Sequence, residues 1–235
     1  MGSTRFPGKP LTDLLGKPMV QWVYEAALKA NITPNIVVAT PDQEIIDACK
    51  AFNAPAILTS PDHPSGTDRI AEVAQKMPHD FYLNVQGDEP LIQTEDLIAC
   101  AAPLFADPTI QMASLMTECP ENEIDNPAVV KVVTDLQSNA LYFSRHPIPY
   151  PRNSRQSPVF KHIGLYAYRH SVVQDFATWP QSPLEQAESL EQLRFMENGV
   201  RIRMAHGHGS ALAVDTPEQA EAVRELLRKA QATES

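Results

Sequence analysis

Cysteine is scarce in this chain. Cys49, Cys100 and Cys119 are the three in 235 residues, and no two form a C-x-x-C pair. Cysteine-based metal and redox motifs are therefore not indicated. Cys49 and Cys100 lie on apolar-periodic stretches, where a thiol acts as a small buried hydrophobe. Basic charge is also short: 19 Lys and Arg stand against 29 Asp and Glu, a formal net charge of -10. That balance argues against nucleic-acid and anionic-membrane partners, though a local basic pocket for phosphates remains compatible with it. No apolar stretch is long enough to span a bilayer, and no signal-peptide pattern is seen. A reduced, cytoplasmic setting is the expectation. Glycine is sparse at 9 against 21 prolines, and the prolines are scattered at element boundaries without low complexity.

What is present describes a globular chain. Hydrophobic residues make up 43% and charged residues 20%, enough for one large α/β domain or two small ones. Pro18 opens an amphipathic stretch carrying Met19, Val20, Trp22, Val23, Ala26, Ala27 and Ala30. Thr40-Pro41-Asp42-Gln43 reads as a helix start with Thr40 as N-cap. Short strands over 36–39, 56–59, 81–86 and 112–117 alternate with helices over 65–77 and 94–105. This βαβα pattern predicts a Rossmann-like α/β fold with a mostly parallel sheet. Strand-like segments at 128–134, 141–145 and 162–168 then predict an antiparallel excursion, roughly 126–168, inserted in one compact domain. Ser182-Pro183-Leu184-Glu185 is a capping box opening a helix to Gly199. Val200 to Met204 is a strand, and Pro217 to Ala230 a closing helix.

Four motifs carry candidate chemistry. In Asn84-Val85-Gln86-Gly87-Asp88-Glu89-Pro90 an apolar strand stops at a glycine and two carboxylates. Ligands bind beyond the carboxyl ends of such strands, and Asp88 suits a hard cation such as Mg²⁺; equally, the segment reads as a turn with solvated acids. Ser3-Thr4-Arg5-Phe6-Pro7-Gly8-Lys9-Pro10 sets two cations around a Pro-Gly turn, either a triphosphate loop or a basic tail. It is not a Walker A loop. Ser65-Gly66-Thr67-Asp68-Arg69 suits a base or ribose, but its local reading is a plain N-cap. Asp215-Thr216-Pro217-Glu218 likewise reads locally as a cap and first turn. Alternation sets His162, Gly164, Tyr166 and Tyr168 on one strand face, with Arg145 ending another strand. His206-Gly207-His208-Gly209 lacks zinc spacing and reads as a loop.

Together these motifs resemble the 3-deoxy-manno-octulosonate cytidylyltransferase family. Further matching stretches are Asn126-Pro127, Val130-Lys131-Val132-Val133, Leu141-Tyr142-Phe143-Ser144-Arg145, His162-Ile163-Gly164-Leu165-Tyr166 and Leu190-Glu191-Gln192-Leu193-Arg194. They run in the family's order over nearly the whole chain. The resemblance implies a nucleotide-diphospho-sugar transferase fold, Mg²⁺ dependence, a homodimer, and transfer of CMP from CTP to 3-deoxy-D-manno-octulosonate (Kdo) for lipopolysaccharide biosynthesis. It implies Asp88 and Asp215 as metal ligands, and Arg5 and Lys9 on the CTP phosphates. Ser65, Arg69 and Gln86 are implied near the nucleotide. Arg145, His162, Tyr166, Glu191 and Gln192 are implied to hold the sugar acid. No protein base is named, since phosphoryl transfer of this type needs positioning and charge neutralisation.

The chain departs from the family at its start. Relatives begin with an apolar strand running into Pro-Ala-Arg, whereas Met1-Gly2 stands directly before Ser3 here. The expectation is a native chain that starts upstream; the other reading is a shortened relative that binds nucleotide or sugar with little turnover. In-frame upstream codons for such a strand decide between them. Activation of a related acid sugar, 8-amino-Kdo, is the alternative substrate reading.

Overall fold

The computed structural model describes residues 6, 8–153, 157–209 and 212–233. The chain divides into two compact units, one of Met1–Val73, Val85–Leu97 and Ser210–Ser235, the other of Ala74–Asn84 and Ile98–Gly209.

The first unit starts with a tight hairpin, β1 (Asp13–Leu14) against β2 (Lys17–Pro18). Leu15 and Gly16 join the strands, both at positive φ (58° and 84°). Two-residue hairpin loops need that hand to match the strand twist. Helix α1 (Met19–Ala30) follows, with Pro18 as its extended N-cap and left-handed Asn31 closing it. Its buried face, Met19, Val20, Val23 and Ala30, is the predicted apolar stripe. Strand β3 (Val38–Thr40) leads through α2 (Gln43–Ala51) to β4 (Ala56–Leu58), which pairs with β3 in parallel. Helix α2 begins two residues later than the sequence suggests. The Thr40 hydroxyl accepts the Asp42 N–H at 3.1 Å, closing a turn over Pro41 before the helix starts.

The remaining elements are α3 (Gly66–Lys76), β5 (Phe81–Asn84), α4 (Thr94–Ala106), β6 (Met112–Glu118), β7 (Lys131–Thr134), β8 (Ala140–Ser144), β9 (Phe160–Arg169), α5 (His170–Phe176), α6 (Pro183–Glu188), α7 (Gln192–Glu197), β10 (Ile202–His206) and α8 (Pro217–Thr233). Within the first unit α8 buries Ala220, Val223 and Leu227 against Leu14, Met19 and Val214.

The second unit is built on a mixed six-stranded sheet ordered β10-β6-β9-β7-β8, with β5 also on β9. β10 and β6 are parallel, and the other pairings are antiparallel. The sheet is therefore mixed and not mostly parallel as the alternation predicts, because the long β9 runs antiparallel to β5, β6 and β7. β9 is long enough to take β6 along one edge and both β7 and β5 on the other. Residues 112–116 of β6 are all buried, as expected of a strand covered on both faces. Cys49 and Cys100 are buried, as their apolar setting predicts.

The helix expected from Ser182 to Gly199 is broken. Ser189 turns left-handed (φ 52°), ending α6, and α7 starts three residues later. A buried ion pair between Glu185 of α6 and Arg194 of α7 spans the break. Tertiary pairing therefore outweighs the continuous helical pattern.

Candidate active site

In the first unit three segments distant in sequence meet at one cation. Gly8, left-handed at φ 73°, turns the chain into a short 3-10 turn over Lys9–Leu11. The Lys9 Nζ lies 2.8 Å from Asp88 Oδ2 and 3.1 Å from Asp215 Oδ1. The Val214 N–H donates to the Asp88 carbonyl at 2.9 Å, tying the two acid-bearing loops together. Burial works against the Lys9 ammonium, but Asp88 and Asp215 overcome it and hold its pKa above the ordinary lysine range.

Asp215 does not cap α8, although the local pattern favours that role. The Thr216 and Gln219 side chains perform the capping instead: Gln219 N–H donates to Thr216 Oγ1 at 3.3 Å, and Gln219 Oε1 accepts from Asp215 N at 2.7 Å and Thr216 N at 3.0 Å. The Asp215 carboxylate is left to meet Lys9. Two hard oxygen donors converging on a point charge are a fit for Mg²⁺, which takes one or two carboxylates and completes its shell with water and phosphate oxygens. Among the described residues, no group of three or more His, Cys, Asp or Glu is arranged to hold a metal, so phosphate and water would have to supply the rest.

Glu89 follows Asp88 and is a different kind of carboxyl. Burial, then the neighbouring charges of Asp88 and Asp96, push its pKa up to about 7. Asp96, on α4, is itself buried.

Ser65 lies at the start of α3. Its Oγ donates to Asp68 Oδ2 at 2.7 Å and accepts the Asp68 N–H at 3.2 Å, the plain-cap geometry. Arg69 donates to the Thr59 hydroxyl and to Ser60 O at 3.2 Å. Gln86 Nε2 would stand 3.9 Å from a Cβ on Gly66, so the side chain of Gln86 approaches this helix start. Arg5 lies outside the described residues.

The second unit holds the residues read as sugar-binding. A register irregularity in the β6–β9 ladder sets Tyr166 opposite Ser114 and Ile163 opposite Leu115. Two residues are inserted, so alternation survives, and the rings of His162 and Tyr166 sit 5.3 Å apart. Tyr166 stacks on Tyr168 at 5.8 Å, and its hydroxyl donates to Gln192 Oε1 at 3.3 Å. His162, Tyr166 and Gln192 are thus brought together. Glu191 immediately precedes α7 as its N-cap.

Burial pushes the His162 imidazole down to about 3. Its Nε2 lies 2.8 Å from Ser114 Oγ, which is also 2.8 Å from Leu165 O. With the hydroxyl proton given to that carbonyl, Nε2–H donates to Oγ and Nδ1 keeps a lone pair. A neutral ring of this kind accepts a hydroxyl proton and does not pair with a carboxylate. Between pH 6.5 and about 3 the unfolded chain holds a proton on this residue that the fold excludes. Stability therefore falls as pH drops through that window, at up to about 1.4 kcal/mol per pH unit. Urea titrations from pH 7 to pH 4 should show His162→Gln losing less stability than the parent; parallel losses would remove His162 as the cause.

Arg145 is engaged by backbone. Its Nε donates to Glu188 O at 2.7 Å, Nη2 to Ser189 O at 3.2 Å and Nη1 to Pro127 O at 3.0 Å. It thereby closes the carbonyls that the end of α6 leaves open. Among the described residues, three of its five N–H donors find partners, and two remain.

Sequence reasoning missed the residues that hold this arginine, Lys131 and Glu188, and Ser114, which holds His162. For Lys131 a signal exists: a lone cation in the apolar run Val129-Val130-Lys131-Val132-Val133.

The fold and this arrangement of acids and cations define a nucleotidyltransferase, and the chain belongs to the cytidylyltransferase family, whose profile matches residues 1–202. Within that family it groups with the 3-deoxy-manno-octulosonate cytidylyltransferases: it is 46% identical to the Escherichia coli protein of that name over 96% of this chain and 92% of the other. A solved CMP:2-keto-3-deoxy-manno-octonic acid synthetase complexed with CTP superposes with a TM-score of 0.94 at 46% identity, covering 97% of this chain and 95% of that one. A 4-diphosphocytidyl-2C-methyl-D-erythritol synthase from Anaerococcus prevotii, at 11% identity, TM-score 0.63 and 93% coverage of each chain, shares the fold alone.

Proposed function

We propose that this chain transfers CMP from CTP to Kdo, releasing pyrophosphate. The observation that supports this most is the convergence of Asp88 and Asp215 on one cationic point in a cytidylyltransferase chain. The anomeric hydroxyl of Kdo attacks the α-phosphorus of CTP; the new P–O bond forms as the bond to pyrophosphate breaks, and the hydroxyl proton passes to solvent. Asp88 and Asp215 would hold Mg²⁺, which would supply neutralisation of phosphate charge and acidification of the attacking hydroxyl. Lys9 and Arg5 hold the phosphates, while Ser65, Arg69 and Gln86 contact the nucleoside. Arg145 takes the sugar carboxylate with its two remaining donors, a match to guanidinium chemistry. Neutral His162, Tyr166, Glu191 and Gln192 take sugar hydroxyls. Positioning and charge neutralisation carry the reaction, without a protein nucleophile.

We read the chain as a single cytidylyltransferase domain acting in the cytoplasm as a homodimer, with 126–168 as the dimerisation region. The exposed Leu136, Leu141 and Tyr150 in that stretch support it, and light scattering on the purified chain tests it. The activity is tested by pyrophosphate release from CTP that requires both Kdo and Mg²⁺. CTP binding without any release would favour a binding protein instead, and faster release with 8-amino-Kdo would change the substrate.

A further inference from the structure

Among the described residues, Lys131 is the most deeply enclosed charged side chain of the second unit, with 0% of its surface exposed. Its Nζ donates to three backbone carbonyls: Asn126 O at 2.9 Å, Val129 O at 2.6 Å and Arg145 O at 2.6 Å. An ammonium has three donors, and all three are used on the backbone. Among the described residues no carboxylate is hydrogen-bonded to it, and burial lowers its pKa. Burying a cation this way is costly, so what it holds matters. Two of the carbonyls belong to the turn that carries Pro127, and the third belongs to Arg145 itself.

Glu188 grips the same residue from another side. Its two carboxylate oxygens accept from Ser144 Oγ at 2.6 Å and from the Arg145 N–H at 3.0 Å. The Arg145 backbone is therefore held at both its N–H and its carbonyl, each by a charged side chain. The guanidinium is then held by Pro127 O, which lies in the Lys131-bound turn, and by the carbonyls of Glu188 and Ser189. We propose that Lys131 and Glu188 are positioning residues for recognition of the substrate carboxylate: together they set the backbone and fork of Arg145 so that its two remaining N–H groups are presented in one orientation. This rests on the reading of Arg145 as the carboxylate receptor.

The test compares Kdo with its C1 amide, in which the carboxylate charge is gone, as substrates for the full chain. Lys131→Met keeps the apolar stem and removes the three donors. Its expected effect is a rise of tenfold or more in KM for Kdo, in line with the cost of about an ångström of misplacement. The KM for CTP should be unchanged, and the preference for Kdo over the amide should shrink by a similar factor. A merely structural role slows both substrates alike and leaves the preference intact; that result overturns the proposal. Glu188→Gln, a milder change that keeps one acceptor oxygen, should reduce the same preference severalfold, and it decides the matter should Lys131→Met fail to fold. Arg145→Met separates the two readings. If it leaves the preference unchanged, the carboxylate role of Arg145 fails; if it abolishes the preference while both Lys131→Met and Glu188→Gln retain it, only the positioning role fails.

Discussion

Asp88→Asn is expected to lower Mg²⁺-dependent turnover by about 3 kcal/mol in barrier, roughly a hundredfold in rate. The substitution keeps the shape of the side chain and removes one of two charges that converge on a single point. Lys9 holds that point, at 2.8 Å from Asp88 and 3.1 Å from Asp215. An amide offers a divalent cation one neutral oxygen and, in the other orientation, an N–H₂ group that repels it. Asp215 would then be the one charged ligand left for the metal, and the phosphate charge would fall to the cations Lys9 and Arg5. Steady-state pyrophosphate release at rising Mg²⁺ is the measurement, with calorimetric Mg²⁺ titration in the presence of CTP as the second reading. Turnover equal to the parent at saturating Mg²⁺ would refute the ligand role of Asp88. Loss of turnover with undiminished metal affinity would assign Asp88 to orienting Lys9 instead.

Arg194→Met is expected to destabilise the protein by about 3–5 kcal/mol. Arg194 and Glu185 are exposed by only 3% and 6%. Their contact is bidentate, Nε to Oε2 at 2.7 Å with Nη2 on Oε1. The guanidinium also lies 4.0 Å from the centre of the Phe176 ring, and that ring stacks on Phe195 at 4.5 Å. Methionine fills much of the volume and keeps the aromatic contact. What it removes is the partner of a buried carboxylate, which is left with the Ser182 N–H at 3.1 Å. Urea unfolding should show the loss, and Arg194→Met combined with Glu185→Gln should recover part of it, because the second change removes the stranded charge. A double variant as unstable as the sum of the two singles would mean that packing, and not the uncompensated charge, is responsible.

Several elements were legible because their physics is local. The apolar stripe of α1, the stop of β5 before Gly87, and the polar-aromatic face of β9 follow from spacing and turn chemistry that neighbouring residues decide. The position of that face also survived the irregular β6–β9 register, since an insertion of two residues preserves alternation. Other readings failed where distant groups intervene. The single helix over 182–199 is split because Arg145, from the end of β8, takes the carbonyls of Glu188 and Ser189 that the break exposes. The Thr40 cap moved two residues because its hydroxyl found a nearer amide.

The sequence by itself determined the α/β class, the family and the residue types gathered for phosphate, cation and sugar-acid chemistry, all of which depend on order along the chain. Only the tertiary structure decided which charges meet. Asp215 reads locally as a cap; it becomes a partner of Lys9, 206 residues away in sequence, because Thr216 and Gln219 take over the capping. Lys131 reads as a cation in a strand and turns out to be a buried clamp on the backbone of Arg145. Hydrogen bonding and Coulomb attraction depend on separation in space and on burial, and neither quantity is written in a residue's immediate neighbours.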